Sequence, residues 1–483
     1  MAVAAGGVGA FLAVVAGSSA GTQVLEYTAV LGVVGAITWL QVTLLRRRSG
    51  LVVPLPAVIV GALNLVGVAG FLFYREIQAV AAVSASMPTS DSIYAGAASI
   101  FTVASLAVFA GGIVLRPVTP DENPAPLGAA AAVAKVRSVV LILAALLPAA
   151  MLVAAYGPSG LVSRSVYLST VGAQTYTSLG SATAPAAVGL LAFILFDARR
   201  GRARLLAFTL LLGYVLLLFA IGTRALALIP ILLLFAYLQQ RAPDGTRRKL
   251  RLPAALAVVA VTPMLLQLPL AVRSNRGAGL IPFAEQLAGD PGLLVRFDLA
   301  AAFGNVLFAV PLAGHLGTSG LLLPEGSLGI SLNPLPGSMT DWGRIGPLLR
   351  LNQYTPFSGI GELALHGWAA LVGVLFTAAL ALSAMQRLAE KAPGAGRVLL
   401  QVAGIGLAAL FVLDLLQYNL RAGVRVFYYY AALVAVVRVG AKLSQRRTLR
   451  DSWASPLLRL GDAQRGGPLG GRARRSSGAS DRR

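Results

Sequence analysis

The strongest constraint on this chain is the recurrence of long apolar stretches. They fall near residues 3–20, 24–45, 52–73, 93–115, 138–156, 183–197, 205–221, 225–239, 253–272, 367–386, 398–418 and 424–440. An α-helix of about 20 apolar residues matches the roughly 30 Å hydrocarbon core of a bilayer. Only 12% of the residues are charged, against about 25% in soluble domains. The pattern predicts an all-α polytopic membrane protein with about 12 transmembrane helices. The stretch at residues 205–238 is broken only by Gly222, Thr223 and Arg224. As one helix it would reach roughly 50 Å, too long for a single crossing. We therefore expect two short helices joined by a tight glycine-containing turn that carries Arg224.

The first basic residue is Arg46, so the first apolar stretch lacks the charged start of a cleaved signal peptide. There is no cysteine, which excludes disulfides and thiolate metal sites. The net charge of +22 is read as attraction to anionic lipid, with no nucleic-acid partner. With the N-terminus in the cytoplasm, thirty of the forty basic residues fall on the cytoplasmic side. They group around Arg46–Arg48, Lys135, Arg199–Arg204, Arg241–Arg251, Arg387–Arg397 and the tail from Arg438. The positive-inside rule favours this orientation, with both termini cytoplasmic. The apolar residues 293–313 open on Arg296 and Asp298. A crossing there would also move the basic tail outside, so we expect a helix on the outer surface or buried at the membrane edge. Residues 1–450 then form one transmembrane domain of a cytoplasmic-membrane protein. From residue 451 the chain is Arg-, Gly- and Ser-rich and reads as a disordered cytoplasmic tail.

Between spans 9 and 10 lies one large extracytoplasmic loop, residues 273–366. It carries RSNRGAG, NPLPGSMTDW and YTPFSGIGELALHGW. A long loop rich in aromatic residues and proline is more often functional than idle. Arginines stand at three outer junctions: Arg224 on its turn, Arg273 and Arg276 after span 9, and Arg421 and Arg425 before the last span. The last two pairs each share a helical face at their spacing. Snorkelling to lipid phosphate explains any one of them. Three junctions together suit a phosphate or pyrophosphate clamp, which the planar guanidinium fork favours. Among carboxylates, Glu362 sits where the loop re-enters the membrane, Asp341 is in MTDW, and Asp414 is inside span 11. Burial raises such a carboxyl group toward neutral pH and suits it to act as a base. Gly359 and Gly361 free the backbone to turn beside Glu362. His366 lies one helical turn further on and could share a proton with it. Nothing has metal-ligand spacing, and no metal or cofactor is expected.

The stretches IGTRALALIPILL, LPLAVRSNRG, NPLPGSMTDW with SGIGELALHGWAALVGVLF, and NLRAGVR resemble the Wzy-type oligosaccharide repeat-unit polymerases, the O-antigen polymerase family. The resemblance covers about residues 205–440. It implies a membrane glycosyltransferase joining undecaprenyl-pyrophosphate-linked oligosaccharides on the outer face, without a nucleotide sugar. It marks Glu362, Arg224, Arg273, Arg276 and Arg421 as site residues. Arg425, Asp341, Asp414 and His366 are read as further substrate contacts. His366 stands where that family often has Asn or Phe, so catalysis is not rested on it. A flippase and a chain-length regulator are the expected partners. The alternatives are an O-antigen-type ligase, which would depend on a histidine of the outer loop, and a transporter or flippase of lipid-linked sugars. A major-facilitator transporter should carry a short charged motif after span two, and LLRRRSG lacks that motif's Gly and Asp.

Overall fold

A computed structural model describes residues 21–49, 54–72, 90–115, 130–165, 174–197, 201–239, 278–294, 306–335, 337–350, 357–392 and 395–439, with a few isolated positions between 253 and 265. The chain divides into two units, Met1–Ala435 and Val436–Arg483, and the architecture below is that of the first. The expected tail, residues 451–483, lies outside the described residues.

The helices are α1 (Gly21–Ser49), α2 (Leu55–Leu72), α3 (Asp91–Val114), α4 (Ala130–Val162), α5 (Gln174–Asp197) and α6 (Gly201–Ile221). After a 3-10 turn at Arg224–Ala227 come α7 (Leu228–Gln239) and α8 (Leu280–Gly289). The loop continues through α9 (Ala309–Thr318), α10 (Ser327–Leu332), α11 (Trp342–Ile345) and α12 (Gly359–Leu365). The chain then runs through α13 (Trp368–Glu390), α14 (Ala395–Gln417) and α15 (Leu420–Val439). No strand occurs among the described residues; a single isolated bridge pairs Arg164 with Ala278. The protein is all-α.

Nine helices among the described residues are long and apolar enough to cross a membrane: α1 to α6 and α13 to α15. The α7 region is apolar but shorter, over Ala225–Leu234. The expected spans at 3–20 and, apart from isolated positions, 253–272 lie outside the described residues. Large apolar side chains such as Trp39 on α1, Leu147 on α4 and Leu205 on α6 are exposed, as lipid-facing positions should be. The break within 205–238 falls where the sequence placed it. Gly222 takes φ 74°, and the Thr223 hydroxyl caps the following turn by accepting the Ala225 N–H at 3.3 Å.

Helix α3 packs against α2, α9 and α13, while α5 packs against α4, α6 and α7. The well-buried α14 touches both groups, meeting α2, α5 and α7. Small residues set these distances, as they do where helices meet without a hydrophobic drive. A Cβ on Gly111 would lie 2.3 Å from the Phe376 carbonyl oxygen, and one on Gly404 would lie 2.8 Å from the Tyr430 hydroxyl.

The loop is a chain of short helices folded onto the bundle. The expectation for residues 293–313 resolves into a 3-10 turn at Pro291–Leu294 and the buried α9; residues 295–305 lie outside the described residues. On α9, Val310 meets Gly70 near the end of α2, and Gly314 meets Ile93 near the start of α3. Phe283 of α8 packs edge-on against Phe219 at the end of α6, centroids 4.0 Å apart. Loop elements thus meet the C-terminal ends of α2, α6 and α14 and the N-terminal ends of α3, α13 and α15. The opposite ends also meet one another. Gln386 of α13 accepts the Leu55 N–H of α2 at 2.8 Å, and Gly112 of α3 abuts Leu45 and Pro56.

Candidate functional site

Glu362 lies on α12, a two-turn helix wedged between α9 and the α14–α15 junction. Its N-cap is Ser358, whose hydroxyl accepts the Gly361 N–H at 3.1 Å. A Cβ on Gly359 would stand 3.1 Å from the Leu420 nitrogen, and one on Gly361 would stand 2.9 Å from the Ala313 Cα. Neither glycine takes positive φ. Their role is therefore close backbone approach, which corrects the expectation that they let the chain turn.

The Glu362 side chain is 1% exposed. Its Oε1 accepts the Ser331 hydroxyl of α10, and its Oε2 accepts the Leu420 N–H at 2.9 Å. Leu420 is the first residue of α15, so the carboxylate satisfies an otherwise orphaned amide at a helix N-terminus. Burial pushes the Glu362 carboxyl up to about 6, against the pull of these two hydrogen bonds. His366 ends α12, its N–H bonded to the Glu362 carbonyl at 3.2 Å. Its Nε2 is buried without a hydrogen-bond partner, and burial lowers its pKa. The hydrogen bonds described at the Glu362 oxygens come from Ser331 and Leu420, and His366 Nε2 does not bond to them in this arrangement. The other loop histidine, His315 of α9, is also lowered by burial.

Arg421 and Arg425 lie one turn apart on the first turns of α15 and reach the same place, as their spacing predicts. Arg421, 2% exposed, donates from Nη1 to the Thr340 hydroxyl at 2.7 Å and from Nη2 to the Leu335 carbonyl. Its guanidinium lies 5.6 Å from the Trp342 ring centroid, and its Nε is buried without a partner. Arg425 donates from Nε to the Pro334 carbonyl at 3.0 Å and from Nη2 to the Leu335 carbonyl at 3.1 Å. Asp414, 7% exposed, is buried two turns before α15 within electrostatic reach of Arg425.

Asp341 is exposed at the N-cap of α11, and its carbonyl accepts the Arg344 N–H at 3.1 Å. Trp342 beside it packs at 6.2 Å from Phe357, over which Arg350 sits at 4.3 Å. The structure therefore gathers Glu362, His366, Asp414, Arg421 and Arg425, with Asp341 on the adjoining loop. Arg224 starts its 3-10 turn beside α5, α6 and α7, and its side chain is outside the described set, as are Arg273 and Arg276. Among the described residues, no group of three or more His, Cys, Asp or Glu is arranged to hold a metal.

Sequence reasoning assigned no role to Ser331, Thr340 or Arg164. Arg164, 7% exposed, donates to the Ala220 carbonyl at 3.0 Å and the Ile221 carbonyl at 2.9 Å. It lies 4.8 Å from the Tyr156 ring centroid. It caps the carbonyl end of α6, where a cation is favoured. Its position outside a predicted cytoplasmic loop was the only signal. Protein-family models, curated proteins and solved structures contain no match to this chain.

Proposed function

We propose that this protein is a membrane glycosyltransferase that polymerises lipid-linked oligosaccharide repeat units at the outer face of the cytoplasmic membrane. The observation that carries the reading is that buried Glu362, at the junction of α12 and α15, bonds the Leu420 N–H next to Arg421, with Arg425 and buried Asp414 close by. In this reading the acceptor hydroxyl gives its proton to Glu362 as its oxygen bonds the donor's anomeric carbon. The bond from that carbon to the undecaprenyl pyrophosphate breaks, its electron pair leaves with the pyrophosphate oxygen, and Arg421 and Arg425 stabilise the negative charge that develops there. The donor bond supplies the energy, so the step draws on no nucleotide. The thirty-to-ten asymmetry of basic residues supports the outer placement. The alternation of helix ends under the loop is what one face of an antiparallel bundle presents, so the loop elements share a single face.

Glu362→Gln tests the reading, because it keeps size and hydrogen bonding and removes the base. We expect long polymer to be lost, single lipid-linked units to accumulate, and the rate to fall about 10² to 10⁴-fold at unchanged protein level. In the parent, polymer formation should rise with pH through about 6 as Glu362 deprotonates. A normal ladder of products from the Gln variant refutes Glu362 as the base. A chain that moves single units onto a different acceptor, and depends on His315 or His366, is a ligase instead.

A further inference from the structure

Every hydrogen bond described at the Glu362 carboxylate and the Arg421 and Arg425 guanidinium groups, apart from the Leu420 N–H, goes to one stretch of the loop. Ser331 takes one oxygen of Glu362. The Pro334 and Leu335 carbonyls and the Thr340 hydroxyl take the arginine donors. We propose that residues 331–335 and 337–340 form a strap closing this site, occupying with their own oxygens the positions that a pyrophosphate and an acceptor hydroxyl take in turnover. The inference rests on the polymerase reading for the identity of those ligands.

Three features support it. First, the chemistry of the contacts is matched. Three oxygen acceptors face two guanidinium groups, and one hydroxyl donates to the carboxylate, as a diphosphate and a sugar alcohol would. Second, the match is incomplete: Arg421, almost fully buried, keeps an Nε with no acceptor, and a buried donor without a partner is costly. A phosphate oxyanion can take the Nε and Nη edge together in the two-pronged geometry that neutral carbonyls lack. Third, two of the strap's large apolar side chains are not buried. Leu335 is 48% and Met339 68% exposed, whereas Ile345 and Leu349 just beyond it are buried at 0% and 1%. Its own turn is local: the Asn333 side chain accepts the Leu335 N–H at 3.0 Å, and the Gly337 carbonyl accepts the Thr340 N–H at 3.3 Å. The polar contacts to Glu362, Arg421 and Arg425 help hold it down, and an anion competes for those.

The chain has no cysteine, so spin labels can be placed at two exposed positions, Met339 on the strap and Tyr418 at the α14–α15 junction. Their separation is measured by pulsed electron resonance in lipid nanodiscs. The parent should give one principal distance. Adding undecaprenyl pyrophosphate should populate a second, longer one, and inorganic pyrophosphate should do so more weakly. Ser331→Ala and Thr340→Ala should each raise the open-to-closed ratio roughly tenfold without ligand. A single unchanged distance under all these conditions overturns the strap, and the ligand arm needs no variant to fold. Opening in the alanine variants without any response to undecaprenyl pyrophosphate supports the strap and refutes the lipid-pyrophosphate donor.

Discussion

Glu362 shows how one side chain can be buried, charged and structural at once. Its carboxyl is raised from 4.5 to about 6 by burial, so the folded protein holds the proton at pH values where the unfolded chain has lost it. Stability then falls as pH rises from about 4.5 through 6, with the penalty complete above that window. The shift corresponds to about 2 kcal/mol. Denaturation of the detergent-solubilised protein at pH 4 and pH 7 should show this loss in the parent, and Glu362→Gln should flatten it. An equal pH dependence in the variant would assign the effect to other groups. This role was half legible. A carboxylate between two glycines at a membrane re-entry is conspicuous in SGIGELALHG, and burial follows from the apolar residues around it. Its partners were hidden, because the Leu420 N–H is backbone and any residue at 420 except proline supplies it.

At the scale of elements, the spanning helices were readable because a backbone crossing lipid must satisfy its polar groups internally and its side chains must be apolar. That leaves a long trace even where proline interrupts it, as Pro148 does in α4 and Pro185 in α5. The Gly222 turn was readable because a bilayer limits helix length. The loop was not, since α9 and α12 are shorter than any periodicity can establish, and close backbone approach decides their places. Gly314 is the sharpest case: a Cβ there would stand 2.1 Å from the Ile93 carbonyl oxygen, and backbone cannot swing aside. Gly314→Ala should therefore push α9 off α3 and destabilise the protein by about 1–3 kcal/mol. Gly373→Ala on α13, where nothing lies within 4 Å of the added atom, should be neutral or slightly stabilising. Thermal unfolding of the two variants checks this, and equal melting temperatures would show that α9 is not packed so tightly. Arg421 and Arg425 belong to the same lesson. Their shared face followed from spacing, but apart from the Thr340 hydroxyl their partners are main-chain carbonyls of Pro334 and Leu335, which leave no mark in a sequence.

For the whole molecule, the thirty-to-ten distribution of basic residues makes a sidedness prediction that lipid-impermeant thiol labelling can check. A cysteine at Ser338 should label from outside intact cells, and one at Ser444, outside the described residues, only after the membrane is opened. Equal labelling of both in intact cells would invert or break the topology. The capping of α15 by Glu362 carries a consequence for how such a chain is made. Glu362 precedes Leu420 by 58 positions, and Arg421 and Arg425 emerge from the ribosome later still. While α13 and α14 are being inserted, the carboxylate has no amide to cap and the loop has no arginines to hold it. Helix α15, the last of the described helices, is thus the one that fastens the loop made before it. The loop cannot reach its final order one residue at a time as it is made, and assembly of this face waits for α15.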